Sequence, residues 1–299
     1  MTVQWPLLRV DDLKREDIEV LLAFAEGFRT GASPPRAVDA TVGLLFFEPS
    51  LRTRVGFAAA AHRLGARPID ILARRAGPDT SPESLDDALR VLAGYVDVVV
   101  ARPGVPFERD RVQALCPRPL ISAGDAGRLA EHPTQAMIDL FAMRALAGRT
   151  GPWSVAICGD PRMRSARSLL HLLHLTGDAA TITLVTDPAY IEDDSTLLDW
   201  TCSWSAPGAA PWGSFDVVYV TGMAHASLPL DARSELIVDR RTLDELPPHA
   251  LVLSPMPVID EVAYDARSDP RVRFHDQSDL GLFVRMAVLS SAFDLCPGT

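Results

Sequence analysis

Residues 46–66 read FFEPSLRTRVGFAAAAHRLGA, and they place the end of an apolar run next to the start of a helix. The apolar run ends at a Glu-Pro pair, and Ser50 then occupies the position of a helix N-cap. Arg52, Thr53 and Arg54 follow within the first turn, so two hydroxyls and two guanidiniums crowd around one helix start. The strand, loop and helix order is the unit whose repetition predicts the fold.

A helix start of this composition suits an anion. The unbonded backbone N–H groups and the helix dipole favour negative charge there, and arginine adds paired donors shaped for phosphate. The alternative for this stretch alone is a capped surface helix whose arginines are solvated. Other segments of the chain bear on the choice between the two.

Composition narrows the class of protein. The chain has 299 residues, of which 47% are hydrophobic and 23% charged, which is typical of a soluble globular protein with room for two domains. The formal net charge of -10 argues against nucleic acid as the main partner. Because no run is long and apolar enough to cross a membrane and the N-terminus lacks an apolar signal core, we expect a cytoplasmic protein.

The cysteines and lysines add two constraints. Cys116, Cys158, Cys202 and Cys296 lie far apart without CxxC spacing, so neither a disulfide framework nor a zinc site is indicated and we expect buried free thiols. Lys14 is the only lysine. No other position can therefore supply a lysine ammonium to a binding site.

Apolar runs and helical patterns alternate through the first half of the chain, which indicates a parallel sheet covered on both faces. Strands are predicted at 40–47, 67–72, 96–100 with Arg102 just beyond, and 119–122, and helices at 15–28, 57–64, 85–93 and 136–146. Residues 73–84 (ARRAGPDTSPES) are rich in Pro, Gly and Asp and are predicted to form a mobile loop.

The alternation restarts after residues 148–152 (GRTGP), the best candidate linker. Strands are predicted at 154–158, 181–185, 216–220 and 250–254, and a helix at 165–175. The fold class is therefore α/β with two doubly wound parallel sheets, and ligands in such sheets bind beyond the carboxyl ends of the strands. A dinucleotide-dependent oxidoreductase is disfavoured, because the turn at 159–161 (GDP) has one glycine and a proline instead of GxGxxG.

Six segments together resemble the aspartate and ornithine carbamoyltransferase family, most closely its aspartate branch. They are FFEPSLRTR, the Arg102 after VDVVV, EHPTQ, Gly159-Asp160 with RSARS, SPMP and DQSDLGLFVRMAVL, in this order and at suitable spacings. The resemblance implies a carbamoyl phosphate domain at 1–147, completed by a C-terminal helix at 279–299, and an amino-acid domain at 148–278. It also implies a homotrimer with active sites between subunits.

The reaction implied by the resemblance moves a carbamoyl group from carbamoyl phosphate to an amine, giving carbamoylaspartate for pyrimidine synthesis when the acceptor is aspartate. In the family pattern the phosphate turn corresponds to Ser50, Arg52 and Thr53, the second phosphate and carbonyl contact to Arg102, and the carbamoyl contacts to His132 and Gln135. Thr53, Arg102 and His132 would stabilise the oxyanion, and Arg52 would neutralise the leaving phosphate. No metal, cofactor or covalent intermediate is required.

Each of these residues has a plainer interpretation when taken singly. His132 could be a core histidine bonded to the backbone, and Arg102 a surface charge at the end of a strand. The HPTQ context and the shared crevice favour the binding role instead.

The acceptor half matches the family less well. By resemblance Arg164 would hold the acceptor's carboxylate, and the backbone of the turn at Pro255 and Met256 would meet the attacking amine and the carbamoyl nitrogen. A solvated helix arginine and an ordinary structural loop are the alternatives for these two features. The acceptor's side chain would lie at Gly222 and Met223.

Three departures from the family pattern stand out. Residues 221–226 (TGMAHA) replace the arginine and glutamine that grip the side-chain carboxylate of aspartate. Ser81 stands where a lysine should reach the neighbouring subunit's site, and Arg74 or Arg75 would be an imperfect substitute because a planar guanidinium is not a compact ammonium. Leu51 replaces a small polar residue in the phosphate turn.

Three hypotheses follow from these departures. The first is an aspartate carbamoyltransferase in which His225, Arg233 or a rearranged loop compensates. The second, favoured on mechanistic grounds, is a carbamoyltransferase for a different amine acceptor, with a less charged pocket at Gly222 and Met223. The third is a catalytically weak or inactive binding or scaffold protein. Regulatory or dihydroorotase partners are not determined by the sequence.

Overall fold

The computed structural model describes residues 3–72, 83–149, 151–194, 196–197, 202–223 and 228–295. The chain forms two compact units: the first unit comprises Met1–Met137 and Leu280–Thr299, and the second unit comprises Ile138–Asp279. Each unit has its own parallel sheet.

The first unit is built on a four-stranded parallel sheet of order β2-β1-β3-β4. Its central strands are buried, as expected for hydrophobic runs covered on both faces. The register places Phe46, the last residue of β1, opposite Arg102, the last residue of β3. The elements are α1 (Arg15–Arg29), β1 (Thr41–Phe46), α2 (Leu51–Arg63), β2 (Arg67–Leu72), α3 (Leu85–Tyr95), β3 (Val98–Arg102), α4 (Arg109–Leu115) and β4 (Leu120–Ser122).

The second unit is built on a five-stranded parallel sheet of order β7-β6-β5-β8-β9. Its elements are β5 (Trp153–Cys158), α6 (Arg164–Thr176), β6 (Ala179–Val185), α7 (Pro188–Asp193), β7 (Ser203–Ser205), β8 (Val217–Val220), α8 (Leu230–Glu235), α9 (Arg240–Glu245) and β9 (Leu251–Leu253). Two further helices, α5 (Pro133–Leu146) and α10 (Phe274–Ala292), contain the residues at which the chain passes from one unit to the other.

The predicted fold class of two parallel α/β sheets is confirmed. The sequence predicts a domain boundary after residue 147, at the linker segment. In the structure the division between the units falls earlier, inside α5, because this helix contributes residues to both units. Helix α5 also begins three residues earlier than expected, at Pro133, since proline is tolerated in a first turn where its missing N–H has no partner. The predicted loop at 73–84 lies, for residues 73–82, outside the described residues.

Several short elements were not predicted from the sequence. The strand β7 is a three-residue edge strand (SWS) with two exposed side chains, so it carries no apolar run. Helices α7, α8 and α9 have six residues each, too few to show a helical period. These elements depend on tertiary contacts more than on local pattern.

A glycine allows the loops after β5 and β8 to approach closely. Gly159 has φ +109, and a Cβ added there would lie 2.6 Å from the carbonyl oxygen of Thr221 and 2.7 Å from its Oγ1. Thr221 Oγ1 in turn donates to the carbonyl oxygens of Cys158 and Asp160 at 3.2 and 3.0 Å. Only glycine fits this contact, which places the ends of the two strands side by side.

The cysteines within the described residues are free thiols. Cys116 and Cys158 are buried as expected, and burial raises the pKa of Cys158 to about 12. Cys202 is half-buried, which corrects the expectation for that residue, and Cys296 lies outside the described residues. No helix in the described parts of the chain is long and apolar enough to cross a membrane.

Candidate active site

The helix start at Ser50 is formed as the sequence predicts, but its hydroxyl does not cap the helix. Strand β1 leads through residues 47–49 to Ser50, which has extended backbone angles and occupies the N-cap position of α2. Its side chain makes no capping hydrogen bond. The hydroxyl therefore does not satisfy the N–H groups of the first turn, which are the groups that bind anions at helix starts.

Two arginines in the first turn of α2 have different environments. Arg54 is engaged by Asp70, with Nε donating to Oδ1 at 2.6 Å. Arg52 is half-buried and makes no hydrogen bond or ion pair with another residue among those the structure describes. Burial lowers the pKa of the Arg52 guanidinium. A half-buried cation without a protein counter-ion favours an anionic ligand.

The structure brings Thr53, Arg102 and His132 together in one buried cluster. Their exposed fractions are only 5%, 7% and 5%. Arg102 Nη2 lies 3.5 Å from Thr53 Oγ1 and 3.3 Å from His132 Nε2, while its Nε donates to the carbonyl oxygen of Ala123 at 2.8 Å. The ends of β1 and β3 are adjacent in the sheet, which is why residues far apart in sequence meet here.

The contacts of His132 define its protonation. A guanidinium can only donate hydrogen bonds, so a hydrogen bond from Arg102 to Nε2 requires the tautomer with its proton on Nδ1, which lies 3.3 Å from Thr134 Oγ1. In this arrangement the donors of the cluster are the Arg102 guanidinium and the Thr53 hydroxyl. His132 could donate to an oxyanion only after giving up its contact with Arg102.

Two residues beside His132, Thr134 and Glu131, were not singled out from the sequence, whereas Gln135 was. Thr134, which orients the ring, lies within the EHPTQ motif and could have been found there. Glu131 is buried and accepts from the backbone N–H of Val10 at 2.9 Å, a contact between distant segments that has no local signal. Gln135 is half-buried in the first turn of α5, and its backbone N–H donates to the carbonyl oxygen of His132 at 3.0 Å.

A cavity of about 680 Å³ lies along α2 in the first unit. Its lining includes Ser50, Leu51, Val55 and the ion pair of Arg54 with Asp70. Leu51 is 75% exposed, so the residue that departs from the family pattern lies on the outer side of the turn, away from the buried cluster.

In the second unit, the loop after β5 is held by a different arginine from the one predicted to bind the acceptor. Asp160 is buried and accepts from Arg162 Nε and Nη2, both at 2.9 Å. The Arg162 guanidinium also lies 4.3 Å from the centroid of the Tyr190 ring, and the hydrogen bonds with Asp160 raise its pKa. Arg164, the predicted acceptor contact, is half-buried at the first position of α6.

The segment after β8 is neutral at the predicted acceptor position. Gly222 is half-buried and Met223 is buried. A Cβ added at Gly222 would lie 3.8 Å from Glu261 Oε1 and 3.9 Å from Met163 Cε, so the position has room for a side chain. Glu261 is buried and accepts from three backbone N–H groups, those of Met223, Ile259 and Asp260.

Arg233 does not serve as a spare cation. It is 4% exposed, its Nε and Nη2 donate to Asp260 at 3.3 and 2.6 Å, and its Nη1 donates to the carbonyl oxygen of Met223 at 3.0 Å. The bond with Asp260 raises the pKa of Arg233. The Arg233 guanidinium is therefore already engaged by a carboxylate and a carbonyl oxygen. The other proposed substitutes, His225, Arg74 and Arg75, lie outside the described residues, as does Ser81.

The turn after β9 has an unusual backbone. Met256 has φ +57, in the left-handed region that side chains rarely adopt. Its N–H donates to Ser254 Oγ at 3.1 Å, and Pro255 and Met256 are both half-buried. Within the described parts of the chain, no group of three or more His, Cys, Asp or Glu side chains is placed to hold a metal ion.

Comparison with known proteins identifies relatives over most of the chain. Residues 6–145 match the family described as aspartate/ornithine carbamoyltransferase, carbamoyl-P binding domain. The chloroplastic aspartate carbamoyltransferase of Oryza sativa subsp. japonica is 32% identical over 274 residues, covering 87% of this chain and 74% of the relative. The aspartate carbamoyltransferase catalytic subunit of Archaeoglobus fulgidus is 31% identical over 295 residues, covering 95% and 97%.

A solved structure gives the same result for the fold. Aspartate transcarbamoylase from Trypanosoma cruzi, in complex with N-(phosphonacetyl)-L-aspartic acid, matches with a TM-score of 0.78 and 25% identity, covering 95% of each chain. The likeness extends over both units.

Proposed function

This chain belongs to the aspartate/ornithine carbamoyltransferase family, and from that premise we propose that it transfers the carbamoyl group of carbamoyl phosphate to the amino group of an amino-acid acceptor. The observation that carries the proposal is the buried cluster of Thr53, Arg102 and His132, together with the half-buried Arg52, which directly precedes Thr53 and has no protein counter-ion among the described residues. A cationic cluster of this kind fits an acyl phosphate, which combines a phosphate group with a polarisable carbonyl.

The proposed chemistry needs only groups of the chain and the two substrates. The unprotonated amine attacks the carbamoyl carbon, forming a C–N bond and placing charge on the carbonyl oxygen. Arg102 and the Thr53 hydroxyl donate to that oxygen. The intermediate then collapses, the C–O bond to phosphate breaks, and the departing phosphate takes up the proton that the amine nitrogen loses. Arg52 and Ser50 stabilise the departing phosphate, while Gln135 contacts the carbamoyl group.

For the acceptor we propose an amino acid without a second carboxylate, in place of the aspartate that the names of the relatives suggest. Arg164 binds its α-carboxylate, and its side chain lies at Gly222 and Met223. Arg233 is occupied by Asp260, and the buried Glu261 adds negative charge beside Gly222. Each missing charged hydrogen bond to a second carboxylate is worth about 1.5–3 kcal/mol, so aspartate should bind poorly.

Aspartate as the acceptor is the second candidate, supported by the names of the relatives. A non-catalytic binding protein is disfavoured, because a protein that had lost catalysis would not need Arg52, Thr53, Arg102 and His132 together. A homotrimer with shared sites belongs to the same proposal and is supported by family membership.

The test begins with calorimetric titration of carbamoyl phosphate into the purified protein, with phosphate and aspartate titrated separately. Binding of carbamoyl phosphate is expected, and Arg102→Ala should abolish it, with Arg63→Ala as an exposed control from α2. The second step incubates protein, carbamoyl phosphate and single amino acids, including glycine, alanine, asparagine, ornithine and aspartate, and detects carbamoylated products by mass spectrometry. Absence of binding at millimolar ligand would overturn the transfer function, and preferential carbamoylation of aspartate would overturn the acceptor assignment.

A further inference from the structure

We infer that Asp139 and Gln277 are positioning residues that hold the Pro255-Met256 turn in the conformation in which it meets the acceptor's amine. The inference rests on the proposed function, because it assigns a role to this turn in carbamoyl transfer. All the residues involved belong to the second unit.

An unbroken series of hydrogen bonds leads from a buried carboxylate to the turn. Asp139 is fully buried, and its Oδ1 accepts from Gln277 Nε2 at 2.6 Å. Gln277 Oε1 accepts from the backbone N–H of Ser254 at 2.8 Å, and Ser254 Oγ accepts from the N–H of Met256 at 3.1 Å. The conformation of Met256 is thus connected, through three hydrogen bonds, to the interior of the unit.

The backbone of Met256 is what makes this connection significant. A methionine at φ +57 is held in a sparsely populated conformation, and such residues persist only where surrounding contacts over-determine them. The Ser254 hydroxyl supplies the contact nearest to the strained residue. Gln277 supplies the contact that fixes Ser254 itself.

The direction of the hydrogen bonds in the series, from donor to acceptor, is set at its buried end by Asp139. Asp139 Oδ2 accepts from the Tyr219 hydroxyl at 2.6 Å, and burial together with this carboxylate raises the pKa of Tyr219 well above its usual range. Because both oxygens of Asp139 accept, residue 277 must donate to it and also accept from Ser254. An amide side chain does both.

This direction allows the carboxylate and the amide to be exchanged between residues 139 and 277. The exchange distinguishes a role of these hydrogen bonds in positioning the turn from a role of the side chains in packing alone. In Gln277→Glu, two carboxylates would face each other across the 2.6 Å contact, so the turn should shift. In the double variant Asp139→Asn with Gln277→Glu, the asparagine amide donates to the new carboxylate, which still accepts from the N–H of Ser254. The double variant therefore restores the hydrogen bonds of the series, from residue 139 to Ser254, with the two side-chain types exchanged.

Kinetics with the best acceptor from the amino-acid panel test the inference in the full-length protein. Gln277→Glu should lower kcat/KM for the acceptor by about 100-fold, mainly through kcat, while calorimetric affinity for carbamoyl phosphate stays unchanged. The double variant should recover activity to within about tenfold of wild type. If Gln277→Glu fails to fold, Ser254→Ala removes only the hydroxyl nearest Met256 and should lower kcat without a matching fall in Tm.

Ser214→Ala is the control, since its hydroxyl also bonds a backbone group in an exposed turn of the same unit and should change nothing. Wild-type kcat in folded Gln277→Glu or Ser254→Ala, or a folded double variant no better than the single one, would overturn the positioning role while leaving carbamoyl transfer intact. Failure of the wild-type protein to carbamoylate any acceptor would overturn the proposed function and this inference with it.

Discussion

Two arginines at the candidate phosphate site of the first unit and two arginines in the second unit differ in the partners that the structure gives them. In the first unit Arg52 has no counter-ion among the described residues, and Arg102 contacts a hydroxyl, an imidazole and a carbonyl. In the second unit Arg162 and Arg233 are each engaged by a carboxylate. The comparison shows that the number of arginines near a site says little about its affinity for anions. What matters is whether protein carboxylates already occupy them.

The largest effect is expected when Arg102 is removed. Arg102→Ala should lower kcat/KM at least about 1,000-fold and abolish carbamoyl phosphate binding, because the oxyanion loses its principal donor. Arg102→Lys keeps the positive charge but loses the planar guanidinium that contacts two groups at once, so its kcat/KM and its affinity for carbamoyl phosphate should lie between those of wild type and Arg102→Ala. Calorimetry and steady-state kinetics measure both, with circular dichroism to establish folding. Unchanged carbamoyl phosphate affinity in a folded Arg102→Ala variant would contradict the assignment.

Next in size is a change confined to the second unit. Gly159→Ala should destabilise the protein by about 1–3 kcal/mol, because the new Cβ would lie 2.6 Å from the Thr221 carbonyl oxygen. Thermal unfolding measures this as a lower Tm. Gly208→Ala, where a Cβ meets nothing within 4 Å, is the matched control. Below the lowered Tm the acceptor's KM should rise while carbamoyl phosphate still binds. Equal loss of affinity for both substrates would show that the change is not confined to acceptor binding.

The neighbouring arginines of α2 provide a direct comparison. Arg52→Ala should weaken carbamoyl phosphate binding by about 1.5–3 kcal/mol, since a charged hydrogen bond to phosphate is lost. Arg54→Ala removes a partly exposed ion pair with Asp70, worth at most about 1 kcal/mol of stability. Its carbamoyl phosphate affinity should stay near that of wild type. Calorimetry measures the carbamoyl phosphate affinity of both variants. Equal losses of affinity would mean that the ion pair of Arg54 with Asp70 does not keep Arg54 from binding the ligand.

The smallest expected effect comes from adding a cation to the second unit. Gly222→Arg should raise kcat/KM for aspartate by about tenfold, less than a full charged hydrogen bond allows, because Glu261 competes for the new guanidinium. Gly222→Gln adds a shorter polar side chain without charge and serves as the control. If aspartate turnover does not rise at all, the missing cation at this position is not what limits it.

Much of the fold was accessible from local pattern. The helix at 15–28 was predicted to within a residue and the strand at 67–72 to both ends, since apolar periodicity is a property of consecutive residues. The positions of Ser50, Arg52 and Thr53 at a helix start were also predicted. The short strand β7 and helices α7–α9 were not, because their length is below the period that a pattern needs.

The site was predicted as a set of residues but not as a set of contacts. The sequence identified Arg102 and His132 as candidate site residues. It did not predict that His132 Nε2 would lie 3.3 Å from the Arg102 guanidinium. It offered Arg233 as a possible compensating cation, and only the contact with Asp260 shows that this arginine is committed.

The sequence by itself determined the two α/β halves, the helix start at Ser50 with its two arginines, and the absence of a lysine other than Lys14. These are properties of residue type and of neighbours along the chain. Only the tertiary structure decided which arginine has a carboxylate partner, which groups the His132 ring faces and which hydroxyl contacts the backbone of Met256. The physical reason is that partners such as Asp139 and Gln277 are 138 positions apart and meet only through the packing of the folded chain.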